Sequence, residues 1–228
     1  MIKAVVFDLD GTLVNFNIDF RMVRAEIRSF LISQGVPASV LSVNERIFEM
    51  LKKTEIFMKN NGKSAAAIEA VRKKALAIAE KYELEAAKTT KLQPSAKEVL
   101  ETLKKAGLKI GLCTINSQKS AEYLLERFRI KDFFGTITSR DNVKHVKPNT
   151  EHLQATLKAL EVSPQEVLVV GDSQADMKCA KELGATAVGI LTGVSTPKEL
   201  MDAGADYLVT SIADVPVLIE QINSSKPC

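Results

Sequence analysis

Residues 5–12 read VVFDLDGT: a β-branched apolar run that ends on two carboxylates one residue apart, Asp8 and Asp10, with a Gly-Thr turn behind them. Like charges that close repel and compete for solvation, so each raises the other's pKa unless a cation lies nearby. The pair therefore asks for a counter-ion. Its place at the end of a strand-like run asks for a sheet around it.

Working outward, four further runs share that character: KIGLCT (109–114), FFGTIT (133–138), EVLVVGD (166–172) and TAVGIL (186–191). They are short, continuous and apolar, as strands buried on both faces of a parallel sheet are. Helical patterns fill the gaps. PSAKEVLETLKKAG is opened by Pro94 and Ser95 and closed by Gly107, and SQKSAEYLLERF, NTEHLQATLKALEV and QADMKCAKELG follow. Strands alternating with helices imply βαβ units, hence an α/β fold with a doubly wound, Rossmann-like parallel sheet.

Residues 16–90 break that rhythm. Val23, Ile27, Phe30 and Leu31 fall at i, i+4, i+7 and i+8, while Ile68, Val71, Ala75, Ile78 and Tyr82 repeat at threes and fours. This spacing predicts a separate helical domain of three or four helices, broken at GVP (35–37) and NNG (60–62). The expected division is an α/β core from 1–15 and 91–228, with a helical domain, 16–90, inserted after the first strand. The tail SSKPC (224–228) is expected to fray.

Composition narrows the function classes. The chain has 228 residues, 46% of them apolar, enough to bury a substantial core. A net charge of +3, with basic and acidic residues interspersed, gives nucleic-acid binding no support. Cys113, Cys179 and Cys228 are an odd count at irregular spacing, which argues against a disulfide framework and for a reducing compartment. Cys113 and Cys179 read as buried, inert thiols. No apolar stretch approaches the roughly 18 residues a membrane span needs, so the expected location is the cytoplasm.

In a doubly wound sheet, ligands bind beyond the carboxyl ends of the strands, where the connection order reverses. The polar residues expected there are Asp8 and Asp10, then Thr114 and Asn116, then Gly171, Asp172, Ser173 and Asp176, with Lys147 in the segment KHVKPN. Oxygen ligands without His or Cys suit a hard divalent ion such as Mg²⁺, which keeps waters and takes a substrate phosphate. Asp8 and Asp172 would hold it through side chains and Asp10 through a backbone carbonyl. Lys147 and the Thr114 hydroxyl suit the remaining need, which is to neutralise and orient phosphoryl oxygens. The motif alone leaves bland readings open, since Asp172 and Ser173 also suit a helix cap and Lys144 competes with Lys147. His145 is expected to be solvated.

These residues resemble the haloacid dehalogenase superfamily, and within it the phosphoglycolate phosphatase-like branch with a helical cap. DLDGT matches the first motif, Thr114 the second, Lys147 with Pro148 the third, and GDSQAD, with Asp172 and Asp176, the fourth. The resemblance implies a Mg²⁺-dependent phosphatase acting on a small phosphorylated metabolite. It makes Asp8 the nucleophile, forming an aspartyl phosphate, and Asp10 the general acid and base. Thr114, Ile115, Asn116 and Lys147 become phosphate contacts; Asp8, Asp10 and Asp172 become metal ligands; Asp176 and Ser173 support them. Cap closure would make folded phosphoproteins poor substrates.

Two departures stand out. Members often carry Thr-Asn in the second motif, whereas Ile115 follows Thr114 here and the asparagine comes one place later; Asn15 stands where the first motif often continues with aspartate. A phosphomutase and a catalytically idle phosphate-binding protein share the scaffold. Phosphoglycolate, pyrophosphate, a nucleotide and a sugar phosphate all stay open as ligands, as does the oligomeric state.

Overall fold

In a computed structural model of the chain, residues 1–225 are described, so Lys226, Pro227 and Cys228 of the tail lie outside the described residues. The chain divides into two compact units, one of residues 1–17 and 89–228 and the other of 18–88. The first is an α/β unit. Six parallel strands lie side by side in it: β1 (Ala4–Phe7), β2 (Lys109–Cys113), β3 (Thr136–Thr138), β4 (Val167–Gly171), β5 (Thr186–Ile190) and β6 (Tyr207–Val209), in the order β3-β2-β1-β4-β5-β6. β1 is central. The chain winds outward from it to β2 and β3, then returns to its other side for β4, β5 and β6, which makes the gap between β1 and β4 the point where the winding reverses.

The helices of this unit are α4 (Ala96–Lys105), α5 (Gln118–Arg127), α6 (Thr150–Leu160), α7 (Gln174–Leu183), α8 (Pro197–Asp202) and α9 (Val215–Ser225). Side chains alternate across a strand. Ala4 and Val6 of β1 therefore share one face with Val167 and Val169 of β4, packed with Leu153, Leu157 and Leu160 of α6, Met177 and Ala180 of α7 and Leu200 of α8. Val5 and Phe7, also fully buried, face the other way. Burial on both faces is why β1 and β4 read as unbroken apolar runs.

The second unit holds α1 (Phe20–Ser33), α2 (Ile47–Asn60) and most of α3 (Ala65–Thr89). The apolar stripe read from the sequence is its core: Val23, Ile27 and Leu31 pack with Met50, Leu51, Ile68, Val71 and Ala75, and Phe30, Ile78 and Tyr82 border them. Asp19 caps α1, its carboxylate accepting from the N–H groups of Arg21 and Met22.

One fold contact bears directly on the site. His152 of α6 is fully buried; its Nδ1 accepts from the Lys147 N–H at 3.4 Å and its Nε2 lies 3.2 Å from the Thr138 carbonyl, which fits the neutral ring carrying its proton on Nε2. The imidazole thus ties the segment bearing Lys147 to the end of β3. Burial first, and then the charge of Lys147, push its pKa down to about 4. A histidine whose folded pKa lies below its unfolded 6.5 contributes stability that is present above pH 6.5 and is lost as pH falls toward 4. Between pH 7 and pH 5 the loss from this one group is expected to be about 2 kcal/mol. Urea unfolding at both pH values checks it, since His152→Gln should show a pH-dependent loss smaller than wild type by about that amount.

Candidate active site

The strand order places the carboxyl ends of β2, β1 and β4 next to one another, and the sequence puts Thr114, Asp8 and Asp172 immediately after them. Lys147 joins them from the segment before α6. It is 8% exposed, and its ammonium donates to Asp8 Oδ1 at 2.8 Å, Asp176 Oδ1 at 2.5 Å and the Cys113 carbonyl at 2.6 Å. An ammonium has three donors. All three are in use, one toward each of β1, α7 and β2. Lys144 and His145, by contrast, are exposed.

Asp176 is held at both oxygens, because Oδ2 accepts from the Ser173 hydroxyl at 2.6 Å and the Ser173 N–H at 3.2 Å. Ser173 is also the N-cap of α7, so this serine and aspartate form a capping box that presents Oδ1 to Lys147.

Asp172 is steadied by residues that sequence reading missed. Its Oδ2 accepts from the Val194 N–H at 2.8 Å and its carbonyl from the Ser195 N–H at 3.3 Å. Thr192 Oγ1 donates to the Gly11 carbonyl at 2.5 Å, which fastens the same β5–α8 loop to the turn after Asp10. Gly11 has φ +83°, and a side chain on either Gly11 or Gly193 would overlap the Asp172 carboxylate. The available signal was a Thr-Gly pair straight after the run TAVGIL, at the carboxyl end of a strand.

Asp10 is half-buried, and the Asn116 amide donates to its Oδ2 at 2.5 Å. Asn116 is buried in the β2–α5 turn, where its N–H reaches Thr114 Oγ1 at 3.2 Å. Thr114 is buried too, its N–H bound to the Thr138 carbonyl. Arg140, buried and also unremarked in the sequence, donates from its backbone to the Asn116 carbonyl at 3.1 Å and from Nη1 to the Ile115 carbonyl at 3.1 Å.

The electrostatics are unbalanced. Asp8, Asp172 and Asp176 are buried and each presents a carboxylate oxygen within 4.8 Å of the others, while one ammonium faces them. Burial, opposed by Lys147 and reinforced by Asp176, pushes Asp8 up to about 6. Burial together with the charges of Asp8 and Asp176 pushes Asp172 up to about 8. Lys147 is held well above the usual lysine range: burial opposes its charge, and Asp176 and Asp8 outweigh that. An all-oxygen donor set with surplus negative charge fits a hard divalent cation. Cys113 and Cys179 are buried free thiols that burial raises to about 11 and about 12, which leaves them protonated and unreactive at neutral pH. No helix among the described residues is long and apolar enough to cross a membrane.

Comparison with known proteins bears on the same residues. Residues 5–190 match the family model of haloacid dehalogenase-like hydrolases. The pyrophosphatase PpaX of Bacillus mycoides is 31% identical over 126 residues, 55% of this chain and 59% of that protein, and PpaX of Bacillus anthracis is 28% identical over 128 residues, 56% and 59%. The chain thus spans about three-fifths of the length of the curated relatives it matches. Among solved structures, a hydrolase from Pseudomonas syringae aligns with a TM-score of 0.70 at 27% identity over 96% of this chain and 99% of its own. A haloacid dehalogenase-like hydrolase from Bacteroides fragilis aligns with a TM-score of 0.68 at 25% identity over 94% and 100%. The match runs from within β1, just before Asp8, to the end of β5, taking in every acid of the site and Lys147, and the chain belongs to the haloacid dehalogenase-like hydrolases.

Proposed function

We propose that the protein is a Mg²⁺-dependent phosphatase that hydrolyses a small phosphorylated metabolite through an aspartyl phosphate on Asp8. The observation that carries this reading is the charge imbalance at the switch point, three buried carboxylates against one buried ammonium. Such a site is incomplete without a divalent cation, and with one it attracts the phosphoryl dianion. Asp8, Asp172 and the backbone carbonyl of Asp10 would hold Mg²⁺, whose chemistry here is to neutralise phosphoryl oxygens.

The chain's own groups supply the rest. A carboxylate oxygen of Asp8 attacks phosphorus, the bond to the leaving oxygen breaks, and Asp10 gives that oxygen its proton. Asp10 then takes a proton from water as the water's oxygen displaces the Asp8 carboxylate from phosphorus and releases inorganic phosphate. Lys147 keeps Asp8 oriented and contributes positive charge. Thr114 and the Ile115 N–H contact the phosphoryl oxygens. Two carboxyls one residue apart serve different ends because one lies against an ammonium in the interior and the other is half-exposed beside an amide. For the substrate, pyrophosphate enters from the curated relatives' name and phosphoglycolate from the motif resemblance. Incubating purified protein and Mg²⁺ with a panel of phosphorylated metabolites tests the reading, and no phosphate release from any of them, p-nitrophenyl phosphate included, would overturn it.

Two outcomes follow from the geometry. Asp8→Asn keeps the size of the side chain and removes the nucleophile; turnover of the best substrate should fall on the order of 10⁴-fold or more, with the far-ultraviolet circular dichroism unchanged. Gly193→Ala would drive a methyl into the Asp172 carboxylate, so titration calorimetry should show Mg²⁺ binding weakened about 10- to 100-fold, the loss typical when the support of a metal ligand is disturbed. Unchanged affinity would show that the β5–α8 loop does not set the position of Asp172.

A further inference from the structure

Arginine is seldom buried, because its guanidinium never gives up its charge, yet Arg140 of the α/β unit is 5% exposed. Its Nη1 donates to the Ile115 carbonyl at 3.1 Å, and its backbone N–H donates to the Asn116 carbonyl at 3.1 Å. We infer that Arg140 is a positioning residue for the turn that binds the phosphoryl group: it holds two successive carbonyl oxygens of that turn and keeps the Ile115 carbonyl pointing away from the Thr114 hydroxyl. This deepens the proposed function and rests on its reading of Thr114 and Ile115 as phosphate contacts.

The argument starts from the four residues, 114–117, that join β2 to α5. An anion is held at such a turn by N–H and O–H groups, and a carbonyl oxygen aimed at it would repel it. The peptide joining Ile115 to Asn116 is trans, so its N–H and C=O point opposite ways. The N–H reaches Thr114 Oγ1 at 3.2 Å, which sends the carbonyl to the other side, where the guanidinium meets it. A hydrogen bond from a charged donor is about twice as strong as a neutral one, so this contact resists rotation of the peptide. The segment that carries Arg140 is itself fixed. The Thr138 carbonyl accepts from the Thr114 N–H at 3.0 Å and Asp141 Oδ2 from the Gln118 N–H at 2.8 Å, while Asn142 Oδ1 accepts from the Ser139 N–H at 2.7 Å and the Ser139 hydroxyl at 2.9 Å. Residues 138–141 thus grip the turn at both ends and in the middle. Any residue but proline at 140 would supply the backbone N–H, whereas the bond to the Ile115 carbonyl depends on the side chain.

The competing role is a prop for the fold, whose loss lowers stability and leaves phosphate binding alone. Wild type, Arg140→Met, Arg140→Lys and Thr114→Val are to be compared in saturating Mg²⁺ for the affinity of inorganic phosphate by titration calorimetry, for KM and kcat on p-nitrophenyl phosphate, and for the urea midpoint. Methionine fills much of the space of the arginine stem without its donors. Lysine keeps the charge but not the planar fork, and covers the case in which the methionine variant does not fold. Expected is a rise in both the phosphate dissociation constant and KM of about 10-fold or more in Arg140→Met and about 3-fold in Arg140→Lys. kcat should stay within about 3-fold, because the phosphoryl contacts are made before as well as during the reaction. Thr114→Val should raise the same two constants. Unchanged phosphate affinity and KM in the folded Arg140 variants, whatever their stability, while Thr114→Val raises both, would overturn the role of Arg140 alone. Unchanged values in Thr114→Val would overturn Thr114 as a phosphate contact and this inference with it.

Discussion

A buried ammonium must find an acceptor for each of its hydrogens, and for Lys147 the three acceptors come from three different elements: Asp8 after β1, Asp176 in α7 and the Cys113 carbonyl at the end of β2. That requirement ties fold and site together. β1 has to lie between β2 and β4, so that the end of β1 meets the end of β2 on one side and the start of α7 on the other, and the observed order β3-β2-β1-β4-β5-β6 has this property. Such a pair is not there for stability, since apolar residues of similar volume often serve a folded chain at least as well, whereas removing one partner of a buried pair costs about 3–5 kcal/mol. In the proposed reaction the lysine serves through what its charge does to Asp8, and the unit around it keeps that charge buried and paired.

The surroundings then work through backbone as much as through side chains. Asp172 depends on the Val194 N–H, and Lys147 depends on His152, which binds the lysine's own N–H and so fixes the start of its side chain. Thr192 links the β5–α8 loop to the Gly11 carbonyl, so the support of Asp172 and the turn that carries Asp10 share one fastening. Moving any of these displaces a carboxylate without touching it chemically, so at the proposed metal site metal affinity reports on them better than overall stability does.

Much of this was legible in the sequence because it rests on burial and on acids in fixed places. β1, β2, β4 and β5 read as strands because both faces are buried and the apolar run is unbroken; β6 did not, because three residues with an exposed Tyr207 at a sheet edge carry no such pattern. α8 and α9 went unread with it. For the site, Asp8, Asp172, Asp176 and Lys147 were named by type and position, and Lys147 is the buried lysine of the pair while Lys144 is exposed. The help given by Val194 was not legible, since any residue has the N–H it uses, and Gly193 acts through a side chain it lacks. Arg140 and His152 were passed over for a related reason: their partners are main-chain groups brought close only by the fold. The direction of the Asn116 amide was beyond reach, because one position along a turn decides whether a side chain faces the phosphate or the neighbouring acid.

The two acids at the head of the chain pose the problem from which the rest follows, and their surroundings divide it between them. Asp8 lies in the interior, where burial raises its pKa and Lys147 opposes that rise. Asp10 lies two residues on, past the end of β1, and the turn closed between Gly11 and Val14 carries it to the half-exposed rim, where the Asn116 amide donates to it. In the proposed reaction Asp10 gives up a proton and then takes one back, while Asp8 attacks as an anion. One turn of backbone thus separates the two carboxyls into different environments, and the proposed division of labour between them rests on that separation.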